Sequence, residues 1–220
     1  MKALVIGATG LTGSSLLEQL LSDTHFTEIT VLARRSTQVV SEKVTEHTVD
    51  FDKPESWKHL ITGDVLFSAL GTTLKLAGSK QAQYTVDYHY QLAVAKAAAE
   101  NGVGRIVLIS SYGADAKSGV FYLKMKGELE ESIMQLGFKN CVMLRPGQID
   151  GKHSPQRAGE KFALKAVKAL NRCSILKRYT PITPQKLATA MINAALLNEE
   201  KNITIVELEQ VHKLAEKQIV

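Results

Sequence analysis

The chain has 220 residues, 45% of them hydrophobic, and a formal net charge of +5, which fits one domain with a substantial core. Only Cys141 and Cys173 are present, far apart and without ligand spacing, and the six histidines are scattered, so neither a disulfide framework nor a metal site is predicted. The apolar run Ala3 to Ile6 is too short for a signal-peptide core or a membrane span, so a chain that is neither secreted nor membrane-inserted is expected, in a reducing, cytoplasmic setting.

The first predicted strand, Lys2 to Ile6, runs directly into Gly7-Ala8-Thr9-Gly10-Leu11-Thr12-Gly13, and a helix is predicted from about Gly10 to Leu21. A dinucleotide needs glycines here. The turn is tight, the backbone must approach a pyrophosphate, and free N–H groups at the helix start then face the phosphates. The next strand, Glu28 to Ala33, ends in Arg34-Arg35. In NAD-binding chains this position holds a carboxylate for the adenosine ribose, which would repel a 2′-phosphate, whereas a guanidinium binds it. NADP is therefore expected, NADPH preferred over NADH, with Arg34 the principal contact; two solvated arginines are the bland alternative.

A third strand, Val44 to Val49, leads to Asp50-Phe51, where a carboxylate and backbone can meet adenine, although Asp50 also suits an ordinary turn. A fourth, Asp64 to Ala69, closes with Leu70-Gly71-Thr72 beside the expected topological switch point. A long helix from about Ser79 to Glu100 stops at Asn101-Gly102. The fifth strand, Arg105 to Ile109, ends in Ser110-Ser111, and the helix from about Val120 to Leu136 carries Tyr122 and Lys126, four apart and on one face. A tyrosine hydroxyl titrates near 10, so acid–base work at neutral pH needs a cation such as Lys126 to stabilise the phenolate, and a strand-end serine can orient the substrate oxygen. Tyr-x-x-x-Lys alone arises by chance on surface helices; its position after the fifth strand gives it weight.

The sixth strand, Asn140 to Leu144, precedes Pro146. Beyond it the pattern loosens into helices at about Gly159 to Asn171 and Thr183 to Leu197, a short strand at Ile203 to Val206 and a final helix. Near-continuous apolar runs such as Val65-Leu66-Phe67 suit strands buried on both faces. The expected fold is a single doubly wound α/β domain of Rossmann type with a six-stranded parallel core, residues from about 147 to 220 adding a small substrate-side cap. Lys161, Lys165, Lys168 and Arg172 make the first loose helix basic and amphipathic, which reads as a solvated face; no specific nucleic-acid partner is expected.

The stretches Gly7 to Gly13, Ser68-Ala69-Leu70-Gly71-Thr72-Thr73, Ser110-Ser111-Tyr112-Gly113-Ala114-Asp115, Tyr122 to Glu128 and Leu144-Arg145-Pro146-Gly147 resemble an atypical short-chain dehydrogenase/reductase, closest to the Tat-interacting-protein-like oxidoreductase branch. The resemblance covers about Met1 to Leu197. It implies catalytic roles for Ser111, Tyr122 and Lys126, with Lys126 also holding the nicotinamide ribose, and a nicotinamide-flanking backbone at Pro146-Gly147. Where many relatives carry an asparagine that supports the lysine, this chain reads Val86-Asp87, a departure from the usual proton relay. The expected activity is NADP(H)-dependent oxidoreduction of a carbonyl/alcohol pair on a small molecule. A non-catalytic NADP(H) sensor and a nucleotide-sugar epimerase or dehydratase are the alternatives; substrate identity stays open, as does oligomeric state, a homodimer included.

Overall fold

The computed structural model describes residues 1–150, 180–197 and 202–217. Within them seven strands form one wholly parallel sheet: β1 (Lys2–Ile6), β2 (Glu28–Ala33), β3 (Val44–Thr48), β4 (Val65–Ser68), β5 (Arg105–Ile109), β6 (Asn140–Arg145) and β7 (Ile203–Glu207). The order β3-β2-β1-β4-β5-β6-β7 reverses direction between β1 and β4. That reversal opens the crevice at the carboxyl ends of the strands in which doubly wound sheets bind ligands.

Successive side chains of a strand point to opposite faces, and here both faces are covered. Ala3 and Val5 of β1 join Leu16, Leu17 and Leu20 of α1 (Leu11–Ser22) in one core. Leu4 and Ile6 join Val94, Ala98, Leu129 and Ile133 in the other. This second layer is a continuous helical segment, α3 (Lys80–Tyr84), a π-helical stretch (Thr85–Tyr90) and α4 (Gln91–Glu100), with α5 (Phe121–Met134) beside it. The loop after β4 also holds a short helix absent from the sequence reading, α2 (Leu74–Ala77), begun by the Thr73 hydroxyl accepting the Leu76 N–H and ended at Gly78 in the left-handed region.

The sheet has a seventh strand where the sequence reading expects six. β7 pairs in register with β6 from Cys141 opposite Ile203 to Arg145 opposite Glu207. Leu187 and Met191 of α6 (Pro184–Leu196) and Val211 and Leu214 of α7 (Glu209–Glu216) lie in the same core as α1. The described part of the segment read as a cap thus extends the doubly wound core. The expected basic helix at about Gly159 to Asn171 lies outside the described residues.

Candidate active site

The glycine-rich turn forms a cradle that a side chain would fill. Gly7 has φ +84°, and a Cβ there would overlap the backbone of Ala69 and Leu70; a Cβ on Gly13 would overlap the Gly7 carbonyl. The turn is closed by the Gly10 N–H donating to Gly7 O at 2.9 Å. Gly10 caps α1 without a side-chain hydrogen bond, Thr9, Gly10 and Leu11 are exposed, and Thr12 and Gly13 are buried against the strand. The first amides of α1 therefore face the crevice with the positive end of the helix dipole, and the residues fit a dinucleotide's diphosphate.

Arg34 and Arg35 follow β2 at this edge, both exposed. Their loop is held by a residue the sequence reading missed. Glu46 on β3 accepts the Thr37 N–H at 2.9 Å and a short bond from the Thr37 hydroxyl. Those hydrogen bonds, with one from Ser36, draw the Glu46 carboxyl below its usual range, although burial, the largest single influence, acts the other way. The signal was available: a carboxylate inside a strand needs a partner.

Asp50 is exposed and engaged in its own turn, accepting the Asp52 N–H at 3.1 Å and pairing with Lys53 at 3.3 Å. Phe51 is buried and stacked on Tyr90 with ring centres 5.4 Å apart, which leaves its backbone for any ligand. Leu70, Gly71 and Thr72 leave β4 on the far side of Gly7. The Thr72 N–H donates to Asp87 Oδ2 at 2.8 Å. Beneath them the Ser68 hydroxyl donates to Gln91 Oε1 at 2.7 Å, and Gln91 donates to the Asp87 carbonyl at 2.8 Å. The Ser68–Gln91 bond does not figure in the sequence reading, yet a serine closing the apolar run Val65-Leu66-Phe67 demands such a partner.

At the end of β5 the structure brings together Ser111, Tyr122 and Lys126. Ser111 lies beside the Tyr122 hydroxyl, and its own hydroxyl donates to the Tyr112 carbonyl at 3.4 Å. Lys126, one turn along α5, is buried and donates through Nζ to the Ile109 carbonyl at 2.9 Å. Burial pushes the Lys126 ammonium down, while Asp87 and then Glu130 push it up. Asp87, also buried, is pushed up to about 6 by burial, against the pull of Lys126 and the Thr72 N–H. Tyr122 keeps 38% of its surface exposed, but its hydroxyl end is crowded by protein. Burial and then the Asp87 charge push its phenol up to about 12, with Ser111 acting the other way. The sequence reading expects Lys126 to bring that phenol down; in this arrangement two carboxylates answer the Lys126 charge and the balance at Tyr122 runs upward. Pro146 and Gly147 follow β6, and the Pro146 carbonyl accepts the Tyr112 N–H at 2.9 Å, which ties that segment to the serine loop.

A second buried network, unforeseen in the sequence, fastens the two elements that carry this site. Arg145 at the end of β6 grips Glu130 of α5, with Nε 3.0 Å and Nη2 2.5 Å from its carboxylate, and reaches Glu207 of β7 at 2.8 Å.

The family described as NAD(P)H-binding matches residues 7–167. The chain belongs to that family. The mitochondrial protein FMP52 of Eremothecium gossypii is 31% identical over 225 residues, covering 99% of each chain. FMP52 of Candida glabrata, also named mitochondrial, is 36% identical over 91% of this chain and 87% of that one. Among solved structures, the oxidoreductase ylbE from Lactococcus lactis superposes with a TM-score of 0.68 at 17% identity, over 99% of this chain and 98% of that one. A UDP-galactose 4-epimerase gives 0.68 at 19% identity, over 94% and 76%. These likenesses establish the NAD(P)-binding Rossmann-type fold. The mitochondrial names of the relatives overturn the cytoplasmic expectation, which rested on cysteine usage and a short apolar N-terminus.

Proposed function

We propose that this chain is an oxidoreductase of the short-chain dehydrogenase/reductase type, close to the Tat-interacting-protein-like branch, that interconverts a carbonyl and an alcohol on a small molecule with NADP(H). The observation that carries this reading is the placing of Ser111 beside the Tyr122 hydroxyl with Lys126 buried one turn along the same helix, at the strand edge that also holds the glycine cradle. The nicotinamide supplies or accepts the hydride when bound. Gly7, Thr9, Gly10, Leu11, Thr12 and Gly13 would hold the diphosphate, Arg34 and Arg35 the 2′-phosphate, Asp50 and Phe51 the adenine side, and Leu70, Gly71, Thr72, Pro146 and Gly147 the far end. In reduction, Tyr122 gives its proton to the carbonyl oxygen as the carbon gains hydride, Ser111 orients that oxygen, and the Lys126 charge stabilises the phenolate left behind. The names of the relatives support a mitochondrial location for this activity.

Replacing Tyr122 by Phe should remove turnover of carbonyl substrates with NADPH while leaving its dissociation constant unchanged. Retained turnover removes this mechanism. One observation favours a second reading, a cofactor-binding sensor: the Tyr122 phenol lies at about 12, away from a value poised for acid–base work near neutrality. No turnover on a broad carbonyl panel, with a partner whose binding differs between NADPH and NADP⁺, selects the sensor.

A further inference from the structure

We propose that the substrate of this site is an apolar molecule, its reacting oxygen at Tyr122 and its hydrocarbon body lying on Leu74, Leu76, Tyr112 and Val120. The proposal rests on the oxidoreductase reading for the place of the reacting oxygen. Among the described residues nine large hydrophobic side chains are exposed, and five of them are Leu74, Leu76, Tyr112, Val120 and Tyr122. All five fall on the loops and helix starts that follow β4 and β5, the strand ends that flank the Ser111–Tyr122 pair. Leu76 is 77% exposed and Val120 57%; what sets them apart from a scattered exposed residue such as Val40 is that they share these loops with Leu74, Tyr112 and Tyr122.

The placement of these loops is fixed by contacts. Lys80, at the start of α3 just beyond α2, sits over the Phe121 ring at 5.5 Å, which ties the start of α3 to the first turn of α5. On the other side Tyr112 is tied to the Pro146 carbonyl, and the Asp115 N–H donates to the Leu123 carbonyl at 3.1 Å, folding the serine loop onto the same helix. The exposed apolar side chains thus stand on the two loops between which an oxygen reaches Tyr122. The charges nearby are largely answered. Lys80 lies on its ring, Lys124 pairs with Glu128 at 3.9 Å, and Asp115 accepts the Lys117 N–H at 2.8 Å. Lys75 and Lys117 remain exposed on these loops, so the competing occupant is an anion, and the test separates the two.

The full chain is titrated with straight-chain primary alcohols from four to ten carbons, with and without NADP⁺, and with 2-hydroxycarboxylates and sugar alcohols. The dissociation constant is expected to fall by about two- to four-fold per added methylene, the upper value being full burial of each group. The double substitution Leu74→Ser with Leu76→Ser should flatten that slope, as should Val120→Ser, while Val40→Ser, at an exposed apolar residue outside these loops, leaves it intact. A binding constant independent of chain length, a slope that survives all the rim substitutions, or tighter binding of the hydroxycarboxylates overturns the proposal. The ladder needs no turnover. Its failure beside intact Tyr122-dependent turnover removes the apolar class alone, and its success without any turnover removes the oxidoreductase reading and keeps the apolar site.

Discussion

The Thr72 backbone N–H donates to Asp87 Oδ2 at 2.8 Å, so the loop leaving β4 hangs on a carboxylate buried in the π-helical stretch of the neighbouring helix. π-Helical insertions are costly and concentrate at functional sites. Here the insertion sets Asp87 inward, where its charge acts on both Lys126 and Tyr122.

Asp87 consequently confers a pH dependence on stability. Burial raises its pKa from 3.8 to about 6, with Lys126 and the Thr72 N–H opposing. The folded chain then holds this proton more tightly than the unfolded one. The carboxylate costs nothing below about pH 4, costs progressively more up to about pH 6, and carries its full cost above. Asp87→Asn keeps an oxygen for the Thr72 N–H and removes that titration. The stability difference should therefore move in the variant's favour between pH 4 and 6, by at most about 3 kcal/mol at roughly 1.4 kcal/mol per pKa unit. Urea unfolding of both proteins at a series of pH values measures it; curves that stay parallel disprove it.

Adjacent serines at the end of β5 should behave oppositely. Ser110 Oγ is buried and, among the described residues, has no hydrogen-bond partner, whereas Ser111 lies beside Tyr122. An unsatisfied buried hydroxyl is a cost, so Ser110→Ala should be neutral or stabilising by up to about 1 kcal/mol, with little change in turnover. Ser111→Ala should leave stability within about 0.5 kcal/mol and lower kcat/KM by roughly 100-fold. Kinetics on the two variants decides between them, and an equal loss from Ser110→Ala would move the oxygen-orienting role off Ser111.

The strands and the glycine turn were legible because burial on both faces writes continuous apolar runs. β1, β2 and β5 have the bounds the sequence predicts, and the cradle follows from Gly7 and Gly13 lying where a Cβ has no room. What escaped depends on partners distant in sequence. Ile203 and Ile205 are half exposed at a sheet edge, so β7 carries no core-strand pattern and reads as part of a cap. Thr85 to Tyr90 reads as ordinary helix, since nothing local marks the π-helical register. The Glu130–Arg145–Glu207 network joins three elements, and no spacing rule connects them. Cysteine usage reports redox state and does not distinguish compartments, which is where the cytoplasmic expectation failed.

Cofactor choice should follow Arg34. It is exposed at the end of β2, and its charge reaches the Tyr90 phenol, which burial and the Asp52 hydrogen bond hold above the usual range. A guanidinium–phosphate hydrogen bond contributes about 1.5–3 kcal/mol. Arg34→Ala should weaken NADPH by about 10- to 100-fold and leave NADH nearly unchanged. Calorimetric titration with both nucleotides gives the ratio; a wild-type protein that binds them equally well contradicts the assignment.

Glu130 and Glu207 share Arg145 but sit in different dielectric surroundings, and that difference predicts unequal costs. The Glu130 side chain is 2% exposed and its partner Arg145 18%, whereas Glu207 is 41% exposed. Removing one charge of a buried pair strands the other, at about 3–5 kcal/mol, while a solvent-screened pair contributes about 1 kcal/mol or less. Glu130→Gln should therefore lose several kcal/mol of unfolding free energy and Glu207→Gln about 1 kcal/mol or less, as read from chemical denaturation at neutral pH. Glu130 also helps keep Lys126 protonated, so its loss should shift the pH profile of turnover, an effect Glu207→Gln should lack. Equal destabilisation by the two variants would mean that Arg145 is solvated in solution and that the clamp between β6 and α5 is not what holds the Tyr122–Lys126 helix in place.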